Sequence, residues 1–237
     1  MSNLYNADDD HNRLVSSKVN EVMKSEDSAI ISFIKENPNN YVSLSRVGYL
    51  TDKFSKEELS AIYNALDQNL KETEDGEAIK QFMNIDKIIE KGDQIADLKG
   101  ETLSGETKSL ATIVKQNKYT ILDFWAAGCG PCRMQSKQYR ELHKTYKEKG
   151  LVIVSFSLDK NREHWEKASE EDSISWVNIS DLRGNDGIAP MTYGIRGIPN
   201  SFLINQEWKI VSEFNGFNPN QAPFQNELEE FFEEKSE

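Results

Sequence analysis

The chain has 237 residues, of which 37% are hydrophobic and 29% charged, and its formal net charge at pH 7 is -12. No apolar run approaches the roughly 18 residues that a helix needs to span a bilayer. The acidic balance disfavours a nucleic-acid partner, because binding to phosphates needs clustered Lys and Arg. A chain of this length forms one large domain or two ordinary ones.

The first 91 residues predict a small helical module, because apolar residues recur at helical spacing and strand-like runs are missing. Pro38 should interrupt the first helix. Ser55 and Glu58 have the spacing of a capping box. Gly92 is expected to stop the last helix of the module. No position here has the makings of a catalytic centre, so its expected role is packing or partner contact. The expected helical segments are 16–37, 41–54, 55–66 and 75–92.

Residues 92–237 alternate between apolar strands and helices, which predicts a sheet covered on both faces. The last two strands are joined by a short polar turn at Asn205–Gln206 and must be antiparallel. The expected fold class is therefore α/β, with a mixed central sheet between helices. Expected strands are 93–98, 119–127, 151–159 and a pair within 200–216; expected helices are 132–150, 161–172 and 220–235; 99–110 is expected to be a turn region.

The only two cysteines, Cys129 and Cys132, lie in the stretch ILDFWAAGCGPCRMQ, at the junction of an apolar strand and a helix. A helix N-terminus carries free amides and a partial positive charge, which favour a thiolate. Cys129 is therefore expected to attack a substrate disulfide, and Cys132, one turn later on the same face, to resolve the mixed disulfide. Pro131 suits the first helical turn, where its missing N–H costs nothing.

Other readings of the two cysteines fit the sequence less well. A c-type haem site needs His after the second cysteine, and Arg133 stands there. A zinc site needs further ligands, and His11, His143 and His164 lack finger spacing. A purely structural disulfide over so short a loop adds little stability. Disulfide exchange is the preferred reading, with no metal and no organic cofactor.

DFWAAGCGPCR (123–133) resembles the active-site segment of thioredoxins, and YGIRGIPNSFLI (193–204) resembles their second signature, a cis-proline loop before a strand. Residues 93–237 as a whole are similar to a thioredoxin-fold domain. VSFSLDKNREHW (154–165) and SFLINQEWKIV (201–211) make the resemblance closest to the TlpA/ResA-like thiol-disulfide oxidoreductases of the bacterial cell envelope. The helical lead-in resembles, more weakly, the N-terminal extensions of some of those proteins.

The resemblance implies roles for individual residues. Pro199 matches the cis-proline beside the active disulfide, which leaves the backbone of Ile198 free to pair with an extended substrate. Asp123 matches the buried acid beneath the second cysteine, a proton acceptor for Cys132 because burial raises its pKa. Trp125 is expected to pack against the site. The implied catalytic residues are Cys129, Cys132, Asp123 and Pro199, and the implied substrate-binding residues are Ile198, Trp125, Gly130 and Pro131.

Three departures from the thioredoxin pattern are visible. Gly128 stands before Cys129, where thioredoxins usually carry Trp. The helix that starts CRMQSKQYREL lacks the proline that commonly kinks it. VIVSFSLD lacks the lysine that accompanies the buried acid in many thioredoxins, so proton transfer through Asp123 is less secure. These departures bear on substrate identity more than on the chemistry.

The expected function is a thiol-disulfide oxidoreductase, with the Gly-Pro dipeptide favouring a reductase. Its expected partners are protein substrates with disulfides or thiols and an upstream thiol-disulfide electron donor. Two alternatives stay open: a thioredoxin-fold adaptor, and a thiol peroxidase, for which Ala126 replaces the usual Thr. The start MSNLYNADDDHNRL has no features of a secretory signal. A cell-envelope location is implied by the resemblance, and a cytoplasmic one stays possible.

Overall fold

The computed structural model describes residues 17, 18, 21, 24–85 and 87–233. The chain divides into two compact units, Met1–Asn84 and Ile85–Glu237. This division falls seven residues before the expected boundary after residue 91. Within the described part of the chain, no helix combines the length and apolarity needed to cross a membrane.

The first unit is built from helices around its own apolar core, in which Ile34, Leu44, Leu59 and Ile79 are fully or almost fully buried. The capping box at Ser55 is confirmed: its hydroxyl accepts the Glu58 N–H, and the Glu58 carboxylate accepts the Ser55 N–H. Residues 16, 19, 20, 22 and 23 of the first expected helix lie outside the described residues. The helices of this unit are α1 (24–36, with 17, 18 and 21 also helical), α2 (Tyr41–Tyr49), α3 (Lys56–Ala65), α4 (Gln68–Lys71) and α5 (Glu74–Met83).

The expected helix over 75–92 is wrong in its second half. Helix α5 ends at Met83, with Asn84 as its C-cap. The chain then enters the second unit. There the Ile89 N–H donates to the Thr192 carbonyl at 2.9 Å, and the Ile89 side chain packs on the core of that unit. Tertiary contacts of the two isoleucines Ile88 and Ile89 thus override their helix-compatible spacing.

The second unit contains a seven-stranded mixed sheet in the order β2-β1-β5-β4-β3-β6-β7. Strands β3, β4 and β5 run parallel, and the remaining pairs are antiparallel, including the expected final pair β6 and β7. The predicted fold class is confirmed. The elements are β1 (Lys99–Thr102), β2 (Thr107–Ser109), α6 (Leu110–Lys115), β3 (Tyr119–Trp125), α7 (Gly130–Tyr146), β4 (Leu151–Ser157), α8 (Arg162–Glu171), β5 (Val177–Ser180), α9 (Ile188–Thr192), β6 (Asn200–Asn205), β7 (Ile210–Asn215) and α10 (Gln225–Glu233).

Two parts of the sheet differ from expectation. The expected turn region 99–110 forms the hairpin of β1 and β2, and the expected strand 93–98 contributes only a bridge between Gln94 and Lys209. Strand β1 also pairs with β5, which the sequence analysis did not assign. Gly100 permits this pairing, because a Cβ there would lie 3.1 Å from both the Ile179 Cβ and the Ser180 carbonyl oxygen.

Strand β3 positions the residues around the cysteines. Its side chains alternate: Leu122 and Phe124 join the core on one face of the sheet, and Ile121 and Trp125 contact apolar clusters that include residues of α7. Asp123 lies between Ile121 and Trp125 and therefore shares their face, since strand side chains alternate with period two. Helix α7 thus covers a carboxyl group at the centre of the sheet.

Candidate active site

Cys129 and Cys132 form a disulfide at the N-terminus of α7, with their Cα atoms 5.3 Å apart. Cys129 is the N-cap residue, and its Sγ accepts the N–H of Cys132 at 3.2 Å. Cys129 is half-buried, whereas Cys132 is only 2% exposed and packs against Trp125 and Trp165. An incoming sulfur therefore reaches Cys129 before Cys132.

Gly130 and Pro131 are exposed and lie in the first turn of α7 between the two cysteines. Trp125 is different, because only 1% of it is exposed and it lies behind Cys132. Its expected place among the substrate-binding residues stays a prediction. In the structure the Trp125 side chain packs against Cys132, in line with the expectation that it packs against the site.

The Ile198–Pro199 peptide bond is cis. Ile198 is half-buried and packs on the apolar cluster that also contacts Cys129, so the loop and the disulfide share one set of supporting residues. A cavity of about 440 Å³ lies against this loop and is lined in part by Ile198, Pro199 and Asn200. The structure brings together the two segments that the sequence analysis paired.

Asp123 is 3% exposed and accepts three hydrogen bonds. The donors are Ser201 Oγ at 3.2 Å, Ser155 Oγ at 3.3 Å and Gln135 Nε2 at 3.3 Å. Burial raises the pKa of Asp123 to about 7, against the lowering effect of these hydrogen bonds. Gln135, the donor from α7, follows Cys132 by three positions on the buried face of that helix.

Two further anchors of the cysteine loop were not found from the sequence. The Asp159 carboxylate accepts the Ala127 N–H at 2.9 Å and the Ser157 hydroxyl at 2.8 Å, and so holds the turn that precedes Cys129. Arg133 donates to the carboxylates of Glu171 and Asp172 beside the end of α8. In the sequence, Arg133 only excludes haem attachment, and neither Glu171 nor Asp172 carries a signal of this contact.

The fold and the site together define a domain of the thioredoxin-like class. A thioredoxin domain of a thiol-disulfide oxidoreductase from Bacteroides vulgatus is 29% identical, with a TM-score of 0.54 over 61% of this chain and 99% of that one. The thiol:disulfide interchange protein DsbE from Chlorobium tepidum is also 29% identical, with a TM-score of 0.53 over 59% of this chain and 94% of that one.

The family model of the AhpC/TSA family matches residues 91–213, which is more than half of the chain. The chain belongs to the AhpC/TSA family. Thiol-disulfide oxidoreductase ResA of Bacillus thuringiensis subsp. konkukian is 29% identical over 122 residues, which cover 52% of this chain and 65% of that protein. The thioredoxin-like protein YneN of Bacillus subtilis is 27% identical over 124 residues, 52% of this chain and 69% of that protein. The predicted similarity to ResA is confirmed.

Proposed function

We propose that this protein is a thiol-disulfide oxidoreductase that exchanges disulfides with protein substrates through Cys129 and Cys132, and that it acts as a reductase. The observation that carries the proposal is the asymmetric sulfur pair at the head of α7. Cys129 is half-buried and Cys132 is buried, beside a cis-proline loop. The names of ResA and of the structural relatives support the same chemistry.

The reaction begins with the reduced pair. The Cys129 thiolate attacks one sulfur of a substrate disulfide, so that a Cys129–substrate bond forms and the substrate bond breaks. The other substrate sulfur leaves with the electron pair and takes a proton from water. The Cys132 thiolate then attacks Cys129 Sγ, which closes the internal disulfide and releases the second substrate sulfur. Two electrons have passed to the substrate.

Asp123 is the proposed proton acceptor for Cys132. A carboxyl group with a pKa of about 7 is partly ionised near neutral pH and can accept a thiol proton and later return it. Ile198 is the proposed backbone partner of an extended substrate, with Gly130 and Pro131 forming exposed surface beside Cys129. An upstream thiol-disulfide donor returns two electrons and resets the pair.

Insulin reduction with dithiothreitol as electron source tests the proposal. We expect the wild-type protein to accelerate insulin precipitation, and Cys129→Ser to abolish the acceleration. Cys132→Ser should accumulate a mixed disulfide with insulin, because the resolving sulfur is gone. Inactive wild-type protein would favour the adaptor alternative. Rapid peroxide consumption coupled to thiol oxidation would favour the peroxidase alternative.

The direction of electron flow is tested separately. The Gly-Pro dipeptide between the cysteines resembles that of the reducing thioredoxins. Glutaredoxins have reduction potentials of about -200 to -230 mV, and we expect this protein to have a lower one. Equilibration with glutathione mixtures measures it. A potential near that of a strong oxidant, about -120 mV, would make the protein an oxidase.

The proposed location is the cell envelope, on the strength of the TlpA/ResA-like resemblance. Detection of the native protein in cell fractions checks it, and recovery in the cytoplasmic fraction alone would refute it.

A further inference from the structure

The Asp123 carboxylate receives its hydrogen bonds from three different elements. In the sheet, Asp123 on β3 is directly opposite Ser155 on β4 and directly opposite Ser201 on β6. Residues opposite each other in a sheet point to the same face. The two hydroxyls therefore flank the carboxylate from the neighbouring strands, and Gln135 of α7 contacts it from above.

A second layer of donors lies behind the two serines. Trp176 Nε1 donates to Ser155 Oγ at 2.9 Å, so the Ser155 hydrogen is directed at Asp123. The Tyr139 hydroxyl lies 2.7 Å from Ser201 Oγ and accepts the Gln135 Nε2–H at 2.9 Å. Because the single Ser201 hydrogen is directed at the carboxylate, Tyr139 is the donor in the Tyr139–Ser201 pair. Both serines are held in the orientation that an ionised Asp123 needs.

Among the described residues, no positively charged group contacts this carboxylate, and the hydrogen bonds that lower its pKa come from neutral donors. Tyr139 is neutral, because burial raises its pKa well above the usual value. His143 lies behind the network, with its ring 5.9 Å from that of Trp176, and burial together with Lys147 lowers its pKa. The other titratable side chain of α7 on this side is Cys132, which carries no proton in the disulfide and regains one on reduction, and Ser155 and Ser201 from the strands do not titrate.

We propose that Ser155 and Ser201 are positioning residues that take the place of a cation, so that the buried Asp123 can ionise and exchange a proton with Cys132. Complete burial without these donors disfavours the charged form of a carboxyl group. A hydrogen bond donated to a charged group stabilises that group more than a bond between neutral groups does. The catalytic meaning of this inference rests on the proposed function, whereas the effect on Asp123 does not.

The first test is a titration that needs no activity. The full-length oxidised protein is labelled with ¹³Cγ-aspartate, and the Asp123 signal is identified by its loss in Asp123→Asn. We expect Ser155→Ala and Ser201→Ala each to move its titration midpoint upward by roughly 1–2 pH units. Tyr139→Phe, which keeps the ring, should move the midpoint in the same direction by less. An unchanged midpoint in these variants would overturn the inference.

Two variants separate positioning from general damage. Ser169→Ala removes an equally buried hydroxyl that donates to the Trp165 carbonyl and accepts from Asn178, away from Asp123, and should leave the midpoint unchanged. Ser155→Thr keeps the hydroxyl and should restore the wild-type midpoint. A midpoint that moves as far in Ser169→Ala as in Ser155→Ala would count against a specific role.

The second test is the pH profile of the resolving step, measured by stopped-flow release of a mixed disulfide. Its midpoint should rise in Ser155→Ala and Ser201→Ala together with the Asp123 titration. The rate of Cys129 attack, measured in a Cys132→Ser background, should stay within about twofold. A shifted titration with an unshifted rate profile would remove Asp123 from proton transfer. Absence of insulin reduction by the wild type would overturn the proposed function and leave the titration result standing.

Discussion

Cys129 and Cys132 are close in sequence but have different surroundings. Cys129 caps α7, and its sulfur accepts a backbone N–H, whereas Cys132 is enclosed by Trp125, Trp165 and Ala168. A backbone donor and the positive end of a helix stabilise a thiolate, and apolar enclosure stabilises a thiol. These different surroundings therefore assign attack to Cys129 and resolution to Cys132.

This division predicts the order of alkylation in the reduced protein. Cys129 should react with iodoacetamide at least about tenfold faster than Cys132 at pH 7, because it is both more ionised and more exposed. Quenched time points followed by peptide mass spectrometry measure the two rates, and the denatured protein, in which both thiols are free, is the control. Equal rates in the folded protein would contradict the assignment.

Asp123 also predicts how stability depends on pH. Burial raises its pKa from 3.8 to about 7 in the folded protein. Below pH 4 both states are protonated, and the folded state keeps its full stability. As pH rises from about 4 to 7, the unfolded chain loses the proton first, so the free energy of unfolding falls. Above pH 7 the loss is complete.

Asp123→Asn should abolish this loss of unfolding free energy, because asparagine does not ionise. At pH 8 the oxidised variant should be more stable than the wild type, by on the order of a few kcal/mol, and the difference should shrink towards pH 4. Urea unfolding of both proteins at pH 4.5 and pH 8 measures the free energies. A wild-type protein whose stability, relative to Asp123→Asn, does not change between these values would contradict burial of the acid.

At the scale of elements, the N-terminus of α7 is fixed by contacts with α8 and its C-cap. Arg133 donates to the Asp172 carboxylate, which is 8% exposed, and to the more exposed Glu171 at 2.8 Å. Arg140 also donates to the Asp172 carbonyl. Removing one partner of a buried ion pair leaves the other charge uncompensated, which costs more than losing a surface pair.

Arg133→Ala should therefore lower the free energy of unfolding by about 2–3 kcal/mol. The matched control is Lys147→Ala, which removes an exposed pair with Glu148 at 3.8 Å and should change stability by less than about 0.5 kcal/mol. Chemical denaturation at pH 7 gives both values. Similar effects of the two substitutions would mean that the Arg133 contacts do not fix α7.

At the scale of the whole molecule, the chain contains two units with separate cores. We predict that they are independent domains and that the second begins at Ile85. Residues 85–91 belong with the second unit because Ile89 packs on its core and bonds to Thr192, and because Ile88 lies against Gly194.

Two fragments test this boundary. The fragment 85–237 should fold cooperatively and retain the insulin reduction expected of the full chain. The fragment 92–237 should be less stable by about 1–2 kcal/mol, because it lacks the contacts of Ile88 and Ile89. Thermal unfolding followed by circular dichroism compares them. Equal stability of the two fragments would support a domain boundary after residue 91 instead.

The sequence by itself determined the features that depend on neighbouring residues. The strand that leads into Cys129, the helix that follows it, the capping box at Ser55 and the final strand pair all follow from local periodicity and turn residues. Local patterns failed where distant partners decide. Residues 99–109 form a hairpin whose first strand pairs with β5, and the helical pattern of 85–91 is overridden by contacts of Ile88 and Ile89 within the second unit.

Only the tertiary structure decided the surroundings of Asp123. Its donors are Gln135, Ser155 and Ser201, at separations of 12, 32 and 78 positions along the chain. The sequence showed the carboxyl group and the absence of a lysine in β4, but strand register and the position of α7 set which neutral groups surround it. Hydrogen bonds act over about 3 Å in space and carry no periodic signal along the chain, so folding alone brings these donors to the acid.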